Sequence, residues 1–79
     1  MSKFLVLLLC LSGFLFAAVN INTATVEELQ SLKGIGKSKA EAIVAYRNEQ
    51  NFTSIDDIKK VKGIGPKLFE SIKQDITVQ

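Results

Sequence analysis

The chain has 79 residues, 47% of them hydrophobic, and a formal net charge of +2. This length accommodates one small domain and excludes a multidomain organisation. Histidine is absent, cysteine occurs only at Cys10, and no nucleophile stands beside a base. We therefore predict no enzymatic activity, no metal site and no cofactor.

The first segment, residues 1–18, has the layout of a secretory signal peptide. A single positive charge precedes the apolar stretch Phe4–Phe16, and two alanines follow that stretch. The alternative is a membrane anchor, but Phe4–Val19 is shorter than the roughly 20 residues that a spanning helix needs. We expect a cleaved signal and a mature domain over 19–79; an uncleaved signal would instead tether the domain to the inner membrane.

The predicted mature domain carries little overall charge. It contains nine basic and eight acidic side chains, a net charge of +1. A nearly neutral protein still holds an anion where its basic groups cluster, so the position of the lysines matters more than their number. The domain has no cysteine and must be stabilised by packing alone.

An internal repeat organises residues 19–79. The motif Gly34-Ile35-Gly36 recurs as Gly63-Ile64-Gly65, and the flanking residues keep the same offset between the two copies. Upstream of each copy, a hydroxyl residue is followed three residues later by an acid, namely Thr25 and Glu28, then Ser54 and Asp57. This spacing is typical of a capping box at the start of a helix.

Each repeat unit is predicted to contain two helices. The first helix of each unit has apolar residues at positions i, i+3 and i+6, and these are Val26, Leu29, Leu32 and Ile55, Ile58, Val61. The second helices are predicted from Lys37 to about Asn48 and from Pro66 to about Asp75, with proline favoured at a first helical position. Residues 48–53 connect the units, and Phe52 is expected to fasten this connector to the core.

The predicted fold is all-α, with two hairpins of helices related by approximate two-fold symmetry. No segment shows the sustained alternation of a strand. Neither hairpin is expected to fold alone, because each has one apolar face that the other must cover. The predicted core positions are Leu29, Leu32, Ile35, Ile43 and Val44 against Ile58, Val61, Ile64, Leu68, Phe69 and Ile72.

The two Gly-Ile-Gly loops are candidate phosphate sites. Glycine adopts the backbone angles of a tight loop and lets a ligand approach the main chain closely. The helix that follows presents unpaired N–H groups, while the isoleucine between the glycines is expected to point inward and fix the loop. The predicted DNA-binding residues are Lys33, Gly34, Ile35, Gly36, Lys37, Ser38 and Lys39, with Lys62, Gly63, Ile64, Gly65 and Lys67.

Other features have simpler interpretations. A single Gly-Ile-Gly would be read as an ordinary helix cap, and the two copies with flanking lysines are what favour phosphate. Lys59 and Lys60 lie one turn before the second loop, and their role is left open. The acid pairs at helix starts are interpreted as helix-end electrostatics, and Tyr46 and Phe52 as core residues.

These motifs together resemble the ComEA family of competence DNA receptors over essentially the whole of residues 19–79. The paired loops at fixed spacing make this resemblance far more specific than one Gly-x-Gly. The residues that carry it are Asn20–Ala24, Glu28-Leu29, Leu32–Gly36, Lys39-Ala40, Ile43, Tyr46-Arg47 and Val61–Lys67.

The resemblance implies a tandem helix-hairpin-helix fold, of the small SAM/HhH-like kind, that binds double-stranded DNA at the minor groove without sequence preference. It also implies a periplasmic receptor that takes part in DNA uptake, with proteins of the uptake machinery as further partners. We expect the short periplasmic form typical of Gram-negative bacteria. Lys37 stands where many members have proline, a change that adds charge. The alternative function is a protein-interaction adaptor in the envelope, since such hairpins also bind proteins.

Overall fold

The computed structural model describes residues 18–79, and the signal peptide predicted for residues 1–18 lies, apart from Ala18, outside them. The elements in chain order are β1 (Val19–Asn20), α1 (Val26–Leu29), α2 (Lys37–Glu49), the 3-10 helix η1 (Ile55–Lys60), α3 (Pro66–Ile72), the 3-10 helix η2 (Lys73–Asp75) and β2 (Ile76–Thr77). No helix among the described residues is both long and apolar enough to span a bilayer.

The first hairpin consists of α1 and α2. Thr25 caps α1 as predicted: its hydroxyl accepts the Glu28 N–H at 3.0 Å, and Glu28 Oε1 accepts the Thr25 N–H at 2.8 Å. These bonds satisfy N–H groups that a helix start leaves unpaired. α1 is a single turn, whereas α2 has 13 residues and ends one residue beyond the predicted boundary.

The second hairpin consists of η1 and α3. At its predicted capping box, Asp57 Oδ2 accepts the Ser54 N–H at 3.4 Å, while the Asp57 N–H donates to the Ser54 carbonyl at 3.1 Å. Pro66 occupies the start of α3. The helix expected after Ser54 is a 3-10 helix and not an α-helix. An apolar spacing of three fits the three residues per turn of a 3-10 helix as well as it fits an α-helix, which is why the sequence does not distinguish them.

Two short strands close the domain, and the expectation of no strand is wrong on this point. β1 and β2 pair in parallel, with Val19 opposite Ile76 and Asn20 opposite Thr77. The Ile21 N–H also donates to the Thr77 carbonyl at 2.9 Å. Strands of two residues are too short to produce a detectable alternation of apolar and polar positions.

The core lies between the two hairpins, as predicted from the single apolar face of each hairpin. Of the predicted core residues, only Val44 and Leu68 are half-buried, and both pack against the buried cluster. The structure adds core residues that the sequence reasoning did not single out, namely Ile21, Ala24, Ala40 and Ile76. Their burial depends on how the ends of the described region and α2 pack together, which local sequence does not determine.

The connector between the hairpins is fastened by Phe52, as predicted. Its side chain is 2% exposed, and its ring stacks on Tyr46 with centroids 4.8 Å apart and planes at 16°. Stacked aromatic pairs stabilise a core beyond the area they bury. The interpretation as a core residue is confirmed for Phe52, while Tyr46 is half-buried and packs against the buried cluster.

Candidate nucleic-acid interface

The two glycine loops have the same backbone conformation. Gly34 and Gly63 have φ of 78° and 93°, and within residues 18–79 these are the positions with positive φ. After each, an isoleucine N–H donates back across the loop, from Ile35 to Leu32 O at 3.1 Å and from Ile64 to Val61 O at 3.0 Å. A left-handed residue is required there, which explains the first glycine of each motif.

The isoleucines of the loops point inward, as predicted. Ile35 is 3% exposed and Ile64 is 2% exposed. Their side chains are therefore closed to a ligand, and their N–H groups already donate within the loops, at 3.1 and 3.0 Å. Their burial also fixes the loops to the core before a ligand arrives.

The second glycine of each loop has a different character. Gly36 and Gly65 have extended backbones with φ of −88° and −99°, which other residues adopt readily. A Cβ at either position would meet nothing within 4 Å. Neither backbone conformation nor packing within the described residues demands glycine here, so both positions leave the main chain open to an outside group.

Each loop opens into a helix whose first amides have no acceptor. The carbonyls of Gly36 and Gly65 accept the N–H groups of Ala40 at 2.9 Å and Phe69 at 3.0 Å. Several N–H groups that precede Ala40 and Phe69 in the chain donate to no acceptor within residues 18–79. They are the N–H groups of Gly36, Lys37, Ser38, Gly65 and Lys67. They are donors available to an acceptor outside the chain.

The lysines fall into two groups. Three of them form i,i+3 ion pairs: Lys59 with Asp56 at 3.9 Å, Lys60 with Asp57 at 3.4 Å and Lys73 with Glu70 at 2.9 Å. None of the lysines predicted at the loops takes part in an ion pair of the described region, and these are Lys33, Lys37, Lys39, Lys62 and Lys67. The uncompensated ammonium groups therefore surround the two loops.

Lys59 and Lys60, whose role the sequence left open, have partners within the second hairpin. Lys59 Nζ also lies over the Phe69 ring, 4.9 Å from its centroid, a cation–π contact. Exposed pairs of this kind are weak, but they reduce the positive charge that these two lysines offer to a ligand. Among the described residues, the lysines of the second hairpin that lie at its loop without an ion pair are Lys62 and Lys67.

One acid of each pair at the helix starts, Glu28 and then Asp57, bonds to backbone N–H groups there, in line with the predicted helix-start role. Asp57 Oδ2 accepts the Thr53 hydroxyl at 2.8 Å, the Thr53 N–H at 3.0 Å and the Ser54 N–H at 3.4 Å. The hydroxyl bond from Thr53, followed by the amide bond, lowers the pKa of Asp57 from 3.8 to about 2. Within residues 18–79, no three histidine, cysteine or acidic side chains lie close enough to hold a metal ion.

One contact that the sequence did not predict joins the two hairpins. The stem of Lys39, on α2, lies across the second loop: a Cβ on Gly63 would be 3.6 Å from Lys39 Cε. Lys39 follows Gly36 closely in the chain, and that position alone predicts a place at the first loop. Its cross-hairpin position arises from tertiary packing. The repeat still contains a signal, because Lys39 and Leu68 occupy equivalent positions of the two units.

A shallow groove lies between α2 and the second loop. It is lined by Ser38, Lys39 and Ala42 from the first hairpin and by Lys62 and Gly63 from the second. Ser38 and Lys39, which the sequence assigned to the first loop, are thus brought beside the second.

Comparison with known proteins gives a consistent picture. A family model described as the helix-hairpin-helix motif matches residues 16–77. The chain is 64% identical over 64 residues to ComE operon protein 1 of Bacillus subtilis. The aligned region covers 80% of this chain and 31% of that protein. The chain is 48% identical over 60 residues to an uncharacterized protein of Haemophilus influenzae, covering 73% of this chain and 54% of that protein. The family match and the identity to ComE operon protein 1 confirm the resemblance to the ComEA family.

More distant relatives are larger proteins. The human endonuclease/exonuclease/phosphatase family domain-containing protein 1 is 41% identical over 61 residues, which cover 76% of this chain and 11% of that protein. The chain thus spans about a third of the Bacillus protein, about half of the Haemophilus protein and about a tenth of the human one. The shared part corresponds to the paired hairpins.

Proposed function

Because the chain belongs to the helix-hairpin-helix motif family, we propose that it is a non-enzymatic protein that binds double-stranded DNA without sequence preference. Its two glycine loops contact phosphates on either side of the minor groove. The cellular role we propose is that of a periplasmic receptor in DNA uptake, working with proteins of the uptake machinery. The name of the Bacillus relative, ComE operon protein 1, supports this role.

The observation that carries the proposal is the open main chain at Gly36 and Gly65. Both glycines stand where neither φ nor packing requires them, close before the free amides of Lys37 and Lys67. A phosphate oxygen accepts such N–H groups, and these charge-assisted bonds are among the stronger hydrogen bonds in proteins. A side chain at either glycine would keep the phosphate away.

The lysines add the long-range attraction. Those at the loops are free of ion pairs within the described residues, whereas the more distant Lys59, Lys60 and Lys73 are paired. Each phosphate neutralised releases counterions and makes binding depend on salt. Contacts to phosphate and sugar carry no sequence information, which accounts for binding without sequence preference.

The proposed location depends on residues 1–18. Their charge and apolar pattern support export, and a mature domain without cysteine suits a compartment in which thiols oxidise. Mass spectrometry of the exported protein tests this part separately. Loss of the segment that ends at Ala17 or Ala18 supports a free periplasmic protein, and its retention supports a domain tethered to the inner membrane.

A salt-dependent titration of duplex DNA tests the binding function. Fluorescence anisotropy of a labelled duplex is measured against the purified protein at several salt concentrations. We expect binding at low salt. We also expect log K to fall linearly with log salt, with the slope that corresponds to roughly 3 to 5 neutralised phosphates. Duplexes of unrelated sequence are expected to bind equally.

Charge-neutralising variants provide the matched control. Lys37→Gln, Lys39→Gln and Lys67→Gln together remove three loop cations, and Lys59→Gln, Lys60→Gln and Lys73→Gln remove three paired ones. Net charge falls equally in both triple variants, so only the first is expected to lose most DNA affinity. An equal loss of DNA affinity in both triple variants would show that net charge alone, and not the position of the lysines, determines binding. No binding by the parent at low salt would favour the envelope adaptor, whose partner is a protein.

A further inference from the structure

The groove between α2 and the second glycine loop is lined by two lysines, whereas the equivalent place at the first loop has one. We propose that it is a composite phosphate site, in which Lys39 of the first hairpin and Lys62 of the second hold one DNA phosphate between them. The two loops of the domain are then unequal, and the second binds phosphate more strongly. This inference rests on the proposed DNA binding.

The geometry places Lys39 beside the second loop. Its stem covers Gly63, where a Cβ would lie 3.6 Å from Lys39 Cε and 3.7 Å from its Cγ. Lys39 is half-buried, whereas Lys37, two residues earlier in the same turn of α2, is exposed and does not line the groove. The packing of the stem directs the position of the Lys39 ammonium group and restricts the space it samples.

The lining of the groove favours an anion. Its lining residues include two lysines, Lys39 and Lys62, one serine and no acidic residue. Neither lysine forms an ion pair among the described residues. Two like charges on one groove repel each other, and an anion placed between them removes that repulsion while satisfying both.

The equivalent place on the first loop is built differently. The repeat pairs Lys39 with Leu68 and Lys62 with Lys33, at the same offset as the two glycine motifs. Leu68 lies across Gly34 just as Lys39 lies across Gly63, and its Cδ1 is only 2.8 Å from where a Gly34 Cβ would be. The first loop is therefore covered by a branched apolar side chain and has one lysine where the second has two.

A double-mutant cycle tests whether Lys39 and Lys62 share a phosphate. Methionine keeps the apolar stem of lysine and removes its charge, so Lys39→Met preserves the cover over Gly63. If the phosphate is shared, either lysine alone keeps it neutralised, and each single variant changes the slope of log K against log salt little. The double variant Lys39→Met/Lys62→Met is expected to lower that slope by about 0.9, the value for one phosphate on duplex DNA.

The matched control replaces Lys39 by its neighbour. Lys37→Met/Lys62→Met removes the same number of charges from the same two hairpins, and its slope change is expected to equal the sum of the single changes. Additive slopes for Lys39 and Lys62, or no effect of Lys39→Met on affinity, would overturn the composite site. The parent would still bind DNA in that case, which separates this failure from failure of the proposed function.

An exchange across the repeat gives the sharper result. The variant Lys39→Leu/Leu68→Lys leaves net charge unchanged and moves the second cation to the first loop. In this background Lys62 is the single cation of its groove, whereas Lys33 shares its loop with the lysine introduced at position 68. Lys62→Met is therefore expected to lower the slope of log K against log salt by about 0.9 and Lys33→Met to change it little, the reverse of the parent. A slope that Lys62→Met leaves unchanged in the exchanged protein would contradict the proposal. Circular dichroism checks folding of the exchanged protein, and if it does not fold, the double-mutant cycle decides.

Discussion

The carboxamide of Asn22 holds the backbone of Phe52 from both sides: Asn22 Oδ1 accepts the Phe52 N–H at 2.8 Å, and Asn22 Nδ2 donates to the Phe52 carbonyl at 3.0 Å. The two residues are 30 positions apart in sequence. These bonds connect the segment after β1 to the connector between the hairpins. They hold the backbone at the point where the Phe52 ring enters the core.

Replacing Asn22 with alanine should destabilise the domain, and the substitution lies outside the two glycine loops. The change leaves the partly buried Phe52 N–H and carbonyl unpaired, at a cost of roughly 1–3 kcal/mol for each buried group left without a partner. Urea unfolding followed by circular dichroism measures the effect. Asn51→Ala, at an exposed neighbouring position, is the control and should change the free energy of unfolding little. Equal stability of the two variants would show that the bonds to Phe52 contribute nothing.

The first glycines of the loops should tolerate a side chain poorly, and to different degrees. Alanine at Gly34 or Gly63 must adopt positive φ, which costs roughly 1–2 kcal/mol. At Gly34 the new Cβ also meets Leu68 Cδ1 at 2.8 Å, whereas at Gly63 the nearest atom is 3.6 Å away. Thermal unfolding should therefore show a larger loss for Gly34→Ala.

The difference between the two glycines should depend on Leu68. In a Leu68→Ala background the contact at Gly34 is removed, and the two glycine substitutions are expected to cost similar amounts relative to that background. A persistent difference would place its cause elsewhere than at Leu68.

Acid should weaken the start of η1 through Asp57. Hydrogen bonds from Thr53 hold the pKa of Asp57 at about 2 in the folded protein, below its ordinary 3.8. A carboxyl whose folded pKa is lowered stabilises the fold above its unfolded pKa, and that contribution is lost as pH falls from about 4 toward 2. Thermal unfolding across this range should show a decline that Asp57→Asn reduces.

The neighbouring acid provides the control for this pH dependence. Asp56 accepts none of the bonds from Thr53 and pairs only with Lys59 at 3.9 Å among the described residues. Asp56→Asn should keep the decline between pH 4 and 2. If that variant abolished the decline and Asp57→Asn did not, the assignment to Asp57 would be wrong.

Local features of the fold were predictable because local chemistry determines them. The capping residues Thr25 and Ser54, the start of α3 at Pro66 and the inward isoleucines all follow from a few neighbouring residues. Fixed spacing between the two motifs then indicated two similar hairpins. The type of η1 was not predictable, since apolar positions every three residues are shared by 3-10 and α-helices.

Features that depend on distant parts of the chain were missed. The pairing of Val19 with Ile76 joins the two ends of the described region, and two-residue strands leave no sequence pattern. The position of Lys39 over Gly63 likewise depends on how one hairpin packs on the other. At the site, the sequence identified the loop residues. It did not show that Lys39 of the first hairpin lies beside Lys62 and Gly63 of the second.

The paired substitution Gly36→Ala/Gly65→Ala tests the central claim most directly, because it fills the open main chain without straining it. A Cβ at either position meets nothing in the described structure, and alanine should leave the melting temperature unchanged or raise it slightly by restricting the unfolded chain. The measurement is the affinity for duplex DNA at low salt. We predict a loss of roughly tenfold or more per loop, since a hydrogen bond to a charged group contributes about 1.5–3 kcal/mol. A folded double variant that binds duplex as tightly as the parent would contradict phosphate binding at the loop amides.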